Sequence, residues 1–226
     1  MGPAPTARAR DRAGDLSAPA RHGGRWFVSA DPLRSFLAVD LAPHARAQAA
    51  QVMAQLRQGA PDGVRWVPAE NLHLTLKFLG DVEPDRIPKL IAASTAKLER
   101  VGGFEVMLGG LGAFPNARRA RVVWLGVQAG GPELARLARK LDAAAARIGV
   151  ERERRPFRTH LTLGRLRQPA PLAFSAVACP DAKPFFVEEV VLYESRLSPT
   201  GACYVPLARL PLQRAEAQPP NFTPDT

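Results

Sequence analysis

Leu72-His73-Leu74-Thr75-Leu76 and Thr159-His160-Leu161-Thr162-Leu163 share the tetrapeptide His-Leu-Thr-Leu, with their histidines 87 positions apart. The chain has four histidines, and half of them lie in these two copies. A repeat of such scarce residues requires a common cause. Both copies alternate apolar and polar residues, the pattern of a half-buried strand. Successive strand side chains point to opposite faces. His73 and Thr75 therefore share one face, and Leu72, Leu74 and Leu76 the other. His160 and Thr162 stand in the same way against Leu161 and Leu163. Each strand buries its leucines and presents an imidazole and a hydroxyl.

Around the first copy, the apolar run 34–40 reads as a strand. Residues 44–58 read as a helix, with Ala45, Ala49, Val52, Met53 and Leu56 on one face, Pro43 in its first turn and Gly59 at its stop. A short strand at 64–67 and a turn at 68–71 lead into the strand 72–79, which Gly80-Asp81 closes. A helix is expected at about 84–100. Residues 103–111 and 120–127 form a hairpin around 115–119. Pro132 opens a helix with Leu134, Leu137, Ala138, Leu141, Ala145 and Ile148 in phase, ended by Gly149. Strands are expected at 158–166 and 172–178. Another pair, 185–194 and 203–211, is joined by a turn at 198–201. Eight or nine strands with three helices, in neither βαβ alternation nor all-β spacing, make an α+β fold with mainly antiparallel pairing.

Two strands of this kind facing each other would surround a small polar pocket with two imidazoles and two hydroxyls. With ordinary pKa values near 6.5, a neutral ring accepts a proton while a charged one donates. Hydroxyls and an imidazolium hold phosphate oxygens. That set fits phosphodiester cleavage by acid–base catalysis. A zinc site would need a third ligand, and no Cys, Asp or Glu stands at ligand spacing around either histidine. P-loop, nucleophile-elbow and HExxH signatures are missing.

Here the sequence resembles a known family. The paired His-x-Thr-x motifs are those of the 2H phosphoesterases. The flanking text is similar to that of the bacterial and archaeal RNA 2′,3′-cyclic phosphodiesterases, also described as 2′–5′ RNA ligases. The stretches that carry the likeness are RSFLAVDLAP (34–43), VRWVPAENLHLTLKFLGDV (64–82), FEVMLGGLGAFPNARRARVVWLGV (104–127), RPFRTHLTLGRLR (155–167) and VEEVVLYESRLSPTGACYVPL (187–207). The resemblance implies a bilobal, pseudo-twofold fold over 34–212. Two mainly antiparallel sheets would form a central cleft, with the helices outside. It implies His73 as general acid on the leaving 3′ oxygen, His160 as the base that activates water, and Thr75 and Thr162 as phosphate binders. It implies a 2′-phosphate product, no cofactor and no metal. The reverse reaction, joining a cyclic end to a 5′-hydroxyl, would use the same groups. A non-catalytic module that only binds RNA ends is the alternative. Thr159 stands where the family often has Pro.

Arg165 follows the second motif, where the family commonly has a basic residue. Strict alternation puts it on the leucine face, so a phosphate-binding role needs a bulge or a bend. Lys77 alternates onto the His73 face, toward either an RNA backbone or solvent. Phe78 and Phe157 could stack a base, but core packing is the expectation for both. His22 and His44 are expected to be solvated.

The 226 residues suffice for one core or for two small lobes sharing one. Net charge is +10, and residues 1–33 and 213–226 hold little of it. A basic body favours a polyanion such as RNA, although 26 Arg against 5 Lys also reads as a compositional bias toward Arg. Residues 1–33 and 213–226 are expected to be mostly disordered arms. The first 30 residues hold no apolar core of a secretory signal, and no apolar run is long enough to span a membrane. Cys179 and Cys203 cannot build a disulfide framework, so free, mostly buried thiols in a cytosolic protein are expected. A monomer is expected.

Overall fold

The computed structural model describes residues 31–174, 177, 183–198 and 201–213. Nine strands and three helices are formed among these residues. The chain order is β1 (Leu33–Asp40), α1 (Pro43–Gly59), β2 (Val64–Trp66), β3 (His73–Val82), α2 (Ile87–Leu98), β4 (Phe104–Phe114), β5 (Ala120–Ala129), α3 (Gly131–Ala146), β6 (Leu161–Ala170), β7 (Phe185–Val187), β8 (Glu189–Ser198) and β9 (Gly201–Pro211).

The strands form two sheets. One has the order β3-β1-β8-β9, the other β2-β6-β5-β4-β7, and every strand pair in both is antiparallel. The α+β reading therefore holds. One histidine motif lies at the edge of the first sheet, in β3. The other lies inside the second, with His160 immediately before β6 and Leu161, Thr162 and Leu163 opening it. The two sheets interleave along the chain. β2 joins the second sheet, and the turn after it delivers the chain to β3 in the first. The Val67 amide extends the β2–β6 ladder by donating to the Leu163 carbonyl at 2.9 Å. The chain thus leaves the second motif's strand only a few residues before it reaches His73.

Apolar periodicity shapes the helices. Ala45, Ala49, Val52, Met53 and Leu56 form the buried stripe of α1, and Leu134, Leu137, Ala138, Leu141 and Ala145 that of α3. Both helices carry Pro in the first turn, where its missing N–H costs nothing. Gly130 enters α3 with φ +82°, a left-handed conformation that a side chain resists. α2 packs on α3, and α3 lies against β3. Buried side chains from both sheets and all three helices form one continuous apolar core.

Local boundaries differ from the sequence reading in a few places. The first turn of the helix expected at 84–100 is a 3-10 turn at Pro84–Arg86, because its two prolines leave few amides to donate. β6 runs on to Ala170, and the described residues of the strand expected at 172–178 form none; the remainder of that segment lies outside the described residues. Pro169 and Pro171 have no amide hydrogens with which to continue a ladder. β9 starts at Gly201, which pairs with Ser198. The intervening residues 199 and 200, His22, Cys179 and nearly all of both expected arms lie outside the described residues.

Candidate active site

β3 and β6 carry the two motifs, and the structure treats the copies alike. From His73 to Gly80 the burial sequence is half-buried, buried, half-buried, buried, buried, exposed, buried, exposed. Residues 160–167 repeat it position by position. Leu74 and Leu76 are buried on one side, and Leu161 and Leu163 on the other. His73, Thr75, His160 and Thr162 occupy the half-buried positions between them.

The double buried step in each copy is a β-bulge. Against β1, Ala38 pairs with Thr75 but Leu37 pairs with Lys77, so Leu76 is an extra residue. Against β5, Trp124 pairs with Thr162 but Val123 pairs with Gly164, so Leu163 is extra. One extra residue reverses the alternation beyond it. Arg165 is thereby turned onto the His160 face and exposed. The bulge that a phosphate-binding role would need is present.

The same bulge corrects two expectations at the first copy. Lys77 does not share the His73 face: it is 8% exposed and points inward to an ion pair with Asp142 of α3 at 2.8 Å. Phe78 takes the outward position and is 66% exposed rather than packed in the core. Phe157 packs against the core as expected, and His44 is exposed.

Both imidazoles are tethered in one way. His73 Nδ1 lies 2.8 Å from the carbonyl oxygen of Asn71, and His160 Nδ1 lies 2.7 Å from that of Arg158. A carbonyl only accepts, so Nδ1 carries the hydrogen and the neutral ring keeps its lone pair on Nε2. The Asn71 carbonyl is itself well placed. Arg46 of α1 donates to the carbonyls of Ala69, Glu70 and Leu72, at 2.6, 3.0 and 3.1 Å, and fixes the turn before β3. The Asn71 side chain donates to Ala202 of β9 at 2.7 Å.

Aromatic rings hold the imidazoles in place. Phe36 of β1 stacks on His73 at 4.8 Å, and Tyr204 of β9 meets it edge-on at 5.2 Å. Phe114 of β4 and Trp124 of β5 meet His160 edge-on at 5.0 and 6.4 Å. Tyr193 stacks on Phe36 from behind, and its hydroxyl donates to both carboxylate oxygens of Asp40, at 2.7 and 2.8 Å. None of these rings was singled out in the sequence. Each comes from a strand remote in the chain, and only sheet order shows which imidazole it reaches.

The electrostatics of the two rings differ. Burial lowers the pKa of both below the ordinary 6.5. At His73 the Asn71 bond and the Asp40 carboxylate oppose that shift, while Arg46 adds to it. At His160 the Arg158 bond opposes it and the Arg165 guanidinium adds to it. Arg165 also acts on Tyr204, whose hydroxyl burial raises while Arg165 and Arg34 pull it down. One guanidinium is thus felt both at His160 and at the ring that touches His73. β3 and β6 also approach each other directly. Arg165 is the cation common to both surroundings. Thr75 and Thr162 stand half-buried on the outward faces of their strands.

Among the described residues no group of three or more His, Cys, Asp or Glu could hold a metal ion. No helix among them is long and apolar enough to cross a membrane.

Comparison with known proteins gives a consistent result. The chain matches the family described as LigT like phosphoesterase twice, over residues 39–124 and 125–204, one histidine motif in each half. It is 36% identical over 178 residues to the RNA 2′,3′-cyclic phosphodiesterase of Methanothermobacter thermautotrophicus, covering 76% of this chain and 95% of that one. It is 36% identical over 182 residues to the Escherichia coli protein of the same name, covering 79% and 96%. Its fold superposes on the crystal structure of E. coli LigT complexed with 3′-AMP with a TM-score of 0.68 and 31% identity, over 80% of this chain and 98% of that one.

Proposed function

The chain belongs to the LigT like phosphoesterases, and on that footing we propose that it opens 2′,3′-cyclic phosphodiester ends of RNA to 2′-phosphomonoesters through His73 and His160, without a metal or cofactor. The observation that carries this reading is the matched pair of imidazoles, each tethered through Nδ1 to a backbone carbonyl two residues before it. His160 has a cationic neighbour that disfavours its charged form, which suits a base. Burial and Arg46 lower the pKa of His73 as well, but it alone has a carboxylate nearby, Asp40, which favours its charged form and suits an acid.

In the proposed reaction His160 Nε2 takes a proton from water as its oxygen bonds to phosphorus. The bond from phosphorus to O3′ breaks, and His73 gives its Nε2 proton to O3′. Thr75, Thr162 and Arg165 hold the non-bridging oxygens, whose charge grows in the transition state. Proton exchange with solvent then resets the rings. The reverse reaction, with a 5′-hydroxyl in place of water, uses the same groups. Because both halves of the site lie on one chain, a monomer suffices. Cys203 is exposed on β9, an alternating edge strand, rather than buried as expected, and as a free thiol it remains in keeping with a cytoplasmic setting.

Incubation with adenosine 2′,3′-cyclic phosphate tests the proposal. The expected product is the 2′-monophosphate, with turnover unchanged by chelator. H73A or H160A should each lose about 10²–10⁴-fold. The 3′-monophosphate as product would reverse the leaving-group assignment. Tight, salt-sensitive binding with no product would leave a binding module instead.

A further inference from the structure

Beside the histidine cleft, a second groove of about 490 Å³ runs between the end of β3 and the segment joining α3 to β6. Phe78, Leu79 and Gly80 line one wall, and Glu151, Arg152, Glu153, Arg154 and Arg155 the other. The reaction described above gives it no role. Resting on that reaction, we propose that this groove receives the RNA strand 5′ of the cyclic end. The base of the penultimate nucleotide stacks on Phe78, and its phosphate meets Arg155 and Arg154.

Position is the first argument. Phe78 stands one ring from the cleft: Phe36 lies 4.8 Å from His73 and 6.2 Å from Phe78. Those two ring-to-ring steps are within the reach of a single nucleotide. Phe78 is also the counterpart of Arg165, placed five residues after its histidine and turned outward by the same bulge. The strand that continues from a bound cyclic end has this face to follow.

Preorganisation is the second. Lys77 donates from below to the Glu151 carbonyl at 2.8 Å and pairs with Asp142. Asp142 also accepts from Arg152 and from the Glu153 amide, both at 2.9 Å. The arginine-bearing wall is pinned to a buried ion pair, so little ordering is needed when a strand binds.

Charge is the third. Glu153 is occupied by the Arg155 amide and Glu151 by Arg154, in an exposed pair that a phosphate can compete for. The Arg155 guanidinium bonds no described residue. An exposed aromatic beside uncommitted arginine is the equipment of sequence-tolerant single-strand binding. An apolar protein partner would leave these arginines desolvated and unpaired.

The test compares adenosine 2′,3′-cyclic phosphate with a trinucleotide ending in the same cyclic phosphate. F78A should lose about tenfold in kcat/KM on the trinucleotide, through KM, and nothing on the mononucleotide. F78W should retain the wild-type preference. R155A should flatten the dependence of log(kcat/KM) on log salt by about 0.7 for the trinucleotide alone. Equal losses on both substrates would move Phe78 into the terminal nucleotide's site and overturn the inference, as would no loss on either. Wild-type turnover of the mononucleotide tests the catalytic reading separately. Without turnover, the same ratios are read from binding of the two 2′-phosphate products.

Discussion

The two His-Leu-Thr-Leu strands have the same face, bulge and tether, and then diverge at the next residue. In β3 the inward position after the bulge holds Lys77, which reaches Asp142. In β6 it holds Gly164, where an added Cβ would lie 3.0 Å from Trp66, 3.1 Å from Val64 and 3.3 Å from Val123. Sheet position explains the difference. β3 is an edge strand with α3 against it, so there is room for a long side chain and a partner for its charge. β6 lies between β2 and β5, and neighbours already fill that space. The repeat determines what faces the cleft. Each lobe's own neighbours determine what lies beneath.

If the two strands act as one catalytic unit, their losses will not add. The H73A/H160A double variant should turn over adenosine 2′,3′-cyclic phosphate within about tenfold of the slower single variant. Multiplying losses would mean that the rings work independently.

The second break concerns stability, and the first lobe alone should show it. D142A leaves Lys77 charged and buried and should cost about 3–5 kcal/mol by denaturant unfolding. D142A/K77M should recover most of that. The sign with pH follows from Asp142. Burial would raise its carboxyl, but the bonds from Lys77, the Glu153 amide and Arg152 outweigh burial and hold it below the ordinary 3.8. The folded state therefore gains stability above that value and loses it as pH falls through the lowered pKa. D142N should remove this part of the acid sensitivity. No matching loss is expected from the Gly164 side.

The third and smallest effect sharpens the electrostatic contrast. D40N removes the carboxylate that favours charged His73, so the alkaline limb of kcat/KM should move to lower pH. R165Q removes the cation that disfavours charged His160, so the acid limb should move to higher pH. Both narrow the bell, from opposite sides, and pH–rate profiles with the cyclic mononucleotide read each separately. A shift of the same limb in both variants would exchange or merge the assigned roles.

The repeat, the face that each histidine shares with its threonine, and the α+β class were legible in the sequence, because strand alternation and apolar periodicity are local. The bulges were the main loss, since strict alternation put Lys77 outward and Arg165 inward. A signal existed: leucines fall at 72, 74, 76 and then 79, and at 161, 163 and then 166. A step of three within a period of two marks an extra residue. The rings around each imidazole, and the charges that distinguish them, were not legible. They arrive from β1, β4, β5 and β9, and a sequence read without sheet order has no means of bringing those strands together.

The weave of β2 into the far sheet bears on how such a chain can be divided. Its two family matches suggest halves that could stand alone. Yet the earlier half owns the strand that borders the later half's motif, and the later half owns β8 and β9 beside β1. Fragments severed near residue 125 would each keep an imidazole and neither would keep a complete sheet, so activity should return only on mixing, when each piece supplies the other's missing edge.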